Sequence, residues 1–212
     1  MLSALGLAFF GLLLGIRHAV DPDHVVAVTA IATGERSIPR ATRIGAMWGI
    51  GHTVTILAVG GAIILFRITI PPRLGLAFEF VVGMVLIVLG LANLVSRKDH
   101  PPRHGSARPL VVGMIHGLAG SAAVALLVLA AVRDVRWAIA YLLLFGVGTI
   151  VGMMIVTTAI AVPATFAASR VGPMRRYLVL ASGAASVIVG VLIAIELANN
   201  GLFSSNPVWT PH

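Results

Sequence analysis

The chain has 212 residues, 58% of them hydrophobic and 10% charged, with a mean hydropathy of +1.03. Soluble domains carry about 25% charged residues, so this composition cannot cover a core with a water-facing surface, and the chain belongs in lipid. The net charge of +8 does not mark a nucleic-acid partner, because the basic residues are scattered through short connectors rather than clustered on one face; the absence of cysteine excludes disulfides and thiolate metal sites.

A spanning helix takes about 20 apolar residues. In chain order six segments qualify: Leu2–Thr33, Ile44–Phe66, Leu74–Val95, Pro109–Val132, Trp137–Val162 and Tyr177–Leu197. The first begins like a signal-peptide core, but it has no basic leader and turns apolar again at Val25, so it reads as a retained membrane segment. It is too long for one straight span and contains Pro22, which predicts a long first helix kinked or broken there. Trp48, Trp137 and Tyr177 fall near segment ends and read as interface anchors.

Orientation follows from the connectors. Those after segments one, three and five hold ten basic residues: Arg36, Arg40, Arg43, Arg97, Lys98, Arg103, Arg108, Arg170, Arg175 and Arg176. The opposite side holds four, Arg67, Arg73, Arg133 and Arg136. Lys/Arg excess marks the cytoplasmic side, which puts both termini outside the cytoplasmic (inner) membrane of a prokaryote.

The two halves echo each other. Gly15-Ile16-Arg17-His18 matches Gly113-Met114-Ile115-His116 at an offset of 98; Gly49-Ile50-Gly51-His52 matches Gly146-Val147-Gly148-Thr149 at 97; Gly83 and Gly90 match Gly183 and Gly190 at 100. Three spans per copy make the second copy enter from the opposite face. The expected fold is therefore an all-α polytopic membrane protein of about six transmembrane helices, arranged as two inverted three-helix repeats. Residues 1–96 form the first repeat, 97–108 a basic cytoplasmic linker, 109–198 the second repeat and 199–212 a tail. Such repeats are typical of secondary transporters, which bind substrate near the midplane.

Ionisable side chains inside spans cost about 2.5–3.5 kcal/mol each on insertion scales and point to function. Here they are His18, Asp21, Asp23, His24, His52 and His116, with Glu79 and Glu196 nearer span ends. On a helix, His18, Asp21 and His24 are i, i+3 neighbours on one face, and Pro22 would free the carbonyl of His18. Imidazole and oxygen donors without thiolate suit a borderline divalent ion such as Ni²⁺, Co²⁺, Cu²⁺ or Zn²⁺. At about 1.5 Å per residue, His52 and His116 lie about 12 Å and 10 Å from the cytoplasmic starts of their segments, a depth at which both can meet His18. Taken singly, His52 beside Thr53 reads as an interhelical hydrogen bond, and His116 as filler beside small residues. Gly117–Ala122 reads as a close packing surface in which Ser121 can also serve a ligand, and Asp-Pro-Asp is also turn chemistry. Together, a ligand site outweighs packing, with Thr53 and Ser121 in secondary roles. His100 and His104 in the linker read as solvated loop residues, and His212 as tail.

His18-Ala19-Val20-Asp21-Pro22-Asp23-His24 has the form H-x4-D-H and resembles the signature of the nickel–cobalt transporter family. Trp48-Gly49-Ile50-Gly51-His52-Thr53 is similar to its second histidine motif. Val112 to Ser121 is similar to a segment of its shorter, urease-accessory-type members. The resemblance implies that His18, Asp21, Asp23 and His24 handle metal, with His52 and His116 close behind. Longer members have eight spans and an acidic motif where this chain has Ala119-Gly120-Ser121-Ala122.

The sequence thus points to a permease, not an enzyme, moving Ni²⁺ or Co²⁺, most simply inward, with no cofactor besides the transported ion. No G-x-x-x-x-G-K-[ST] loop is present, so energy comes from a gradient, the membrane potential or a separate subunit. His18, His24 and His52 would replace the ion's water while Asp21 or Asp23 offsets charge. Binding needs neutral imidazole and is expected to weaken as pH falls through about 6.5. The expected partners are lipid and a divalent ion, not nucleic acid; a homo-oligomer or nickel-enzyme assembly proteins are not readable from sequence. Three rivals stand: a transporter or exporter whose His/Asp cluster relays protons, an intramembrane metalloenzyme (no H-E-x-x-H occurs), and an assembly subunit without transport of its own.

Overall fold

The computed structural model describes residues 4–35, 37–67, 70–95, 107–131, 134–171 and 173–199 together with Pro207, with side chains for all except 4, 5, 7, 8 and 120–131. They form seven helices, α1 Ala4–His18, α2 Pro22–Ala32, α3 Ile38–Phe66, α4 Pro72–Val95, α5 Ala107–Ala131, α6 Val135–Arg170 and α7 Met174–Asn199. No strand occurs among the described residues. Among the described residues four helices, α3, α4, α6 and α7, are long and apolar enough to cross a membrane.

The first segment is not one kinked helix. It is two helices, because Asp21 before Pro22 is extended (φ −61°, ψ 142°) and Pro22 opens α2 at its first position, where a missing amide costs nothing. The residue before a proline is pushed out of the α region, so α1 ends at His18 and the chain turns. The carbonyl of His18 is not freed, since the amide of Asp21 donates to it at 3.1 Å. Other boundaries move outward. Ser37 caps α3 by accepting from the amide of Arg40, with Pro39 in the first turn, so the helix starts six residues before the apolar run. Asp134 caps α6 by accepting from the amide of Arg136 at 2.9 Å, and α6 continues through Pro163 to Arg170. One turn beyond His52, α3 passes through a π-helical stretch, Ile56–Gly60.

Packing is inside out relative to a soluble protein. His24, His52, His116, Thr53, Thr55, Thr149, Thr157 and Ser186 are buried, while Phe9, Phe10, Leu65, Phe66, Val88 and Val95 are exposed. Within lipid no water satisfies polar groups, and the buried hydroxyls accordingly return to carbonyls: Thr55 to Gly51, Thr149 to Phe145, Thr157 to Met153. Ser186 on α7 reaches across to the carbonyl of Leu86 on α4 at 2.7 Å. Interhelical bonds of this kind are worth about 0.6 kcal/mol on average. Ser186→Ala is expected to lower stability by about that amount, well under 2 kcal/mol, in denaturant unfolding in detergent micelles.

Small residues let backbones touch, and the contacts come in matched pairs. Gly15 of α1 lies against the carbonyl oxygen of Phe145 on α6, and Gly113 of α5 against that of Trp48 on α3. Gly51 of α3 lies against Leu110 of α5, and Gly148 of α6 against Leu12 of α1. A Cβ at any of these four glycines would fall 2.0–2.2 Å from the oxygen it faces. Each contact becomes its counterpart on moving 97 or 98 positions along the chain. Likewise α4 and α7 cross antiparallel, Gly83 against Gly190 and Gly90 against Gly183. Short α2 packs inside this frame against α4, α6 and α7, and the side-chain amide of Asn93 on α4 donates to the carbonyl of Ala30.

Candidate metal centre

The break between α1 and α2 places its polar residues at the middle of the bundle. His18 is the last residue of α1, Asp21 lies in the turn, and Asp23 and His24 occupy the first turn of α2. They meet because the chain reverses its register there, not because they share a helical face. His52 arrives from α3 and His116 from α5. Ring centroids lie 4.5 Å apart for His18 and His24, 5.1 Å for His18 and His52, 5.0 Å for His24 and His52 and 5.6 Å for His24 and His116.

Three of the four rings are held through Nδ1, whereas Nδ1 of His52 is buried with no hydrogen-bond partner. The Nδ1–H of His18 donates to Asp21 Oδ2 at 2.7 Å, and the Nδ1–H of His24 to Asp23 Oδ1 at 2.8 Å. The Nδ1–H of His116 donates to the carbonyl of Val112 at 3.1 Å. These partners fix the tautomer and leave Nε2 with its lone pair outward, the arrangement usual for metal-binding histidines, whose other nitrogen is tied to a carboxylate or carbonyl. Nε2 of His24 and of His116 is buried with no hydrogen-bond partner. Nε2 of His18 lies 3.1 Å from Nε2 of His52. Two imidazoles on one first-row ion, each about 2.0–2.1 Å from it, stand roughly that far apart.

His18, His24 and His52 each offer a ligand atom within 4.8 Å of the others. His116 stands behind His24, outside that triple. Asp21 and Asp23 act through the rings they orient; their side chains are 46% and 29% exposed, so both border an opening. Of the residues given secondary roles, Thr53 spends its hydroxyl on the carbonyl of Gly146, 3.1 Å away on α6, and holds helices together. The side chain of Ser121, and His100, His104 and His212, lie outside the described residues.

Trp48 is not an interface anchor. It is fully buried, its ring stacked on His52 at 5.8 Å, edge-on to His24 at 4.8 Å and 5.2 Å from His116. It is an apolar wall touching three of the four histidines. The i, i+4 spacing of Trp48 and His52 carries that signal, but it is hidden when the helix is taken to begin at Ile44. On the other side Phe145, 97 residues after Trp48, lies 5.4 Å from His18.

A helical bundle with an apolar exterior, several long apolar helices and polar groups turned inward is a multi-pass membrane protein. Its family is given by similarity: the chain is 35% identical over 218 residues to the urease accessory protein UreH of Bacillus sp. (strain TB-90), a match covering 94% of this chain and 95% of that protein. The chain belongs to the family of that accessory protein. No family model matches the chain, and no solved structure matches it.

Proposed function

We propose that the chain is a permease for a divalent first-row cation, Ni²⁺ or Co²⁺, which crosses the prokaryotic cytoplasmic membrane by way of His18, His24 and His52. The observation that carries this reading is the convergence of three imidazoles, two of them fixed by carboxylates so that Nε2 points inward, at a helix break inside a membrane protein. Nitrogen and oxygen donors without sulfur suit these ions. The resemblance of the H-x4-D-H stretch to the nickel–cobalt transporters narrows the choice. Kinship with a urease accessory protein fits a supply role for a metal.

The matched glycine contacts support an architecture of two inverted three-helix repeats, with α1–α2, α3 and α4 against α5, α6 and α7. Under this relation His18 corresponds to His116, and Trp48 to Phe145, whereas His52 corresponds to Thr149. The site lies across the repeat interface but draws its ligands mainly from the first copy. Both termini face outward, and an inside-negative potential favours cation entry by about 2.3 kcal/mol per charge per 100 mV. In the mechanism the ion exchanges water for Nε2 of His18, His24 and His52 while Asp21 and Asp23 balance charge through the rings they hold. Rocking of one repeat against the other then opens the site inward.

The test is nickel flux into proteoliposomes holding the purified protein: saturable entry supports the reading, and absence of both flux and binding overturns it. The 3.1 Å contact between His18 and His52 is also the geometry of a proton relay. Nickel binding by equilibrium dialysis separates the two, since a relay without metal retains none. Asp21→Asn offers a finer check. Partners that orient a metal-bound histidine are worth about 10–100-fold in affinity, so the variant is expected to bind nickel weaker by that factor while melting like the wild type.

A further inference from the structure

Beside the histidines lies a cavity of about 340 Å³ lined by Asp21, Asp23, His18, His24 and His116 and, further out, by Glu79 and Glu196. Neither glutamate belongs to a motif. Glu79 stands four residues before Gly83 on α4, and Glu196 six residues after Gly190 on α7. The backbone contact of Gly83 with Gly190 brings these two ends of antiparallel helices together. Both glutamates sit toward the end of the bundle where α4 begins and α7 finishes, which is the arginine-poor side.

Glutamates near span ends can simply reach for lipid headgroups. These two instead share a cavity with two buried imidazoles, His24 and His116, whose Nε2 atoms have no partner. The cavity is roomy: at about 30 Å³ per water, its volume of about 340 Å³ corresponds to roughly eleven waters, enough for a divalent ion with its six-water shell intact. Its acid groups come from the turn after α1 and from α2, α4 and α7. Carboxylates are acceptors only and bind a hydrated cation through its water hydrogens, whereas the imidazoles deeper in need the ion bare.

We propose that Glu79 and Glu196, with Asp21 and Asp23, form an entry station that holds a fully hydrated cation before it gives up water to His18, His24 and His52. This rests on the cation-transport reading and assigns the step that precedes it. The station selects for charge and size of the hydrated ion, and the histidines select for ligand chemistry. Its position on the arginine-poor side turns it toward ions outside, in the orientation proposed above.

The probe is hexaamminecobalt(III), a complex shaped like a hydrated ion that does not exchange its ligands and so cannot coordinate imidazole through its metal. Purified protein is expected to bind it, and Glu79→Gln/Glu196→Gln to weaken that binding at least tenfold and to raise the nickel concentration for half-maximal flux by a similar factor. His52 does not line the cavity, so His52→Ala is expected to lose nickel yet keep the hexaammine complex. Thermal melting checks the fold of both variants. Equal affinity for the complex in the wild type and the double glutamine variant, or no binding by the wild type, overturns the station. Binding of the complex that depends on the glutamates, in a protein that neither binds nor moves nickel, upholds the station and instead sinks the nickel reading.

Discussion

His52→Ala is expected to abolish nickel entry into proteoliposomes and to weaken equilibrium nickel binding by more than about 100-fold. The reasoning is comparative. A residue that merely orients a metal-bound histidine is worth about 10–100-fold, and His52 contributes a ring nitrogen itself, 3.1 Å from that of His18. Its ring is fully buried, so the alanine variant leaves a hole beside Trp48, and some lost stability is expected as well. His52→Gln keeps most of the volume and serves as the second variant; it should melt near the wild type and still fail to carry nickel. His116→Ala provides the contrast. Its ring stands outside the close triple, so binding is expected to persist, weaker by about the factor for an outer partner. Nickel flux that survives His52→Gln at wild-type affinity would remove the imidazole triple as the transport site.

Much of this site was legible before any coordinates. Four titratable groups between residues 18 and 24, and two further histidines at similar depth, are too costly in lipid to be incidental, and the fold does gather all four imidazoles. The all-helical class was legible from length and hydropathy, but the number of helices was not: about six spans were expected, and the described residues form seven helices, of which four are long and apolar enough to cross a membrane. The local geometry was less legible. Periodicity puts His18, Asp21 and His24 on one helical face, but the extended Asp21 breaks the helix, and the residues converge through a turn instead. Trp48 escaped because a capping serine and a proline extend α3 by six residues beyond its apolar run, which moves the ring from an apparent end to the interior. Glu79 and Glu196 stand out in the sequence only as ionisable residues near span ends. Only the crossing of α4 on α7, a contact a hundred residues apart in the chain, puts them in one cavity with the histidines.

That dependence of chemistry on backbone approach sets the second large effect, expected for Gly113→Ala. A Cβ at this position would lie 2.0 Å from the carbonyl oxygen of Trp48 and 2.8 Å from its carbonyl carbon. Both atoms are backbone, so no rotamer change relieves the clash, and α3 and α5 must separate by more than an ångström. Overpacking a core costs typically about 1–3 kcal/mol, and a clash against backbone should fall at or above the upper end. Trp48 and His52 lie on adjacent turns of α3, so the displacement passes to the ligand set, and sites are sensitive at about the 1 Å level. The variant is therefore expected to melt well below the wild type and to bind nickel at least tenfold weaker. Gly15→Ala, whose Cβ would meet the carbonyl oxygen of Phe145 at 2.1 Å, should behave alike if the two halves are built on one plan. Gly61→Ala, with nothing within 4 Å of its Cβ, should be neutral or stabilising by up to about 1 kcal/mol from helix propensity. Thermal unfolding of the three proteins in detergent reads the comparison. A Gly113→Ala protein that melts and binds like the wild type would show that α3 and α5 do not meet at Trp48.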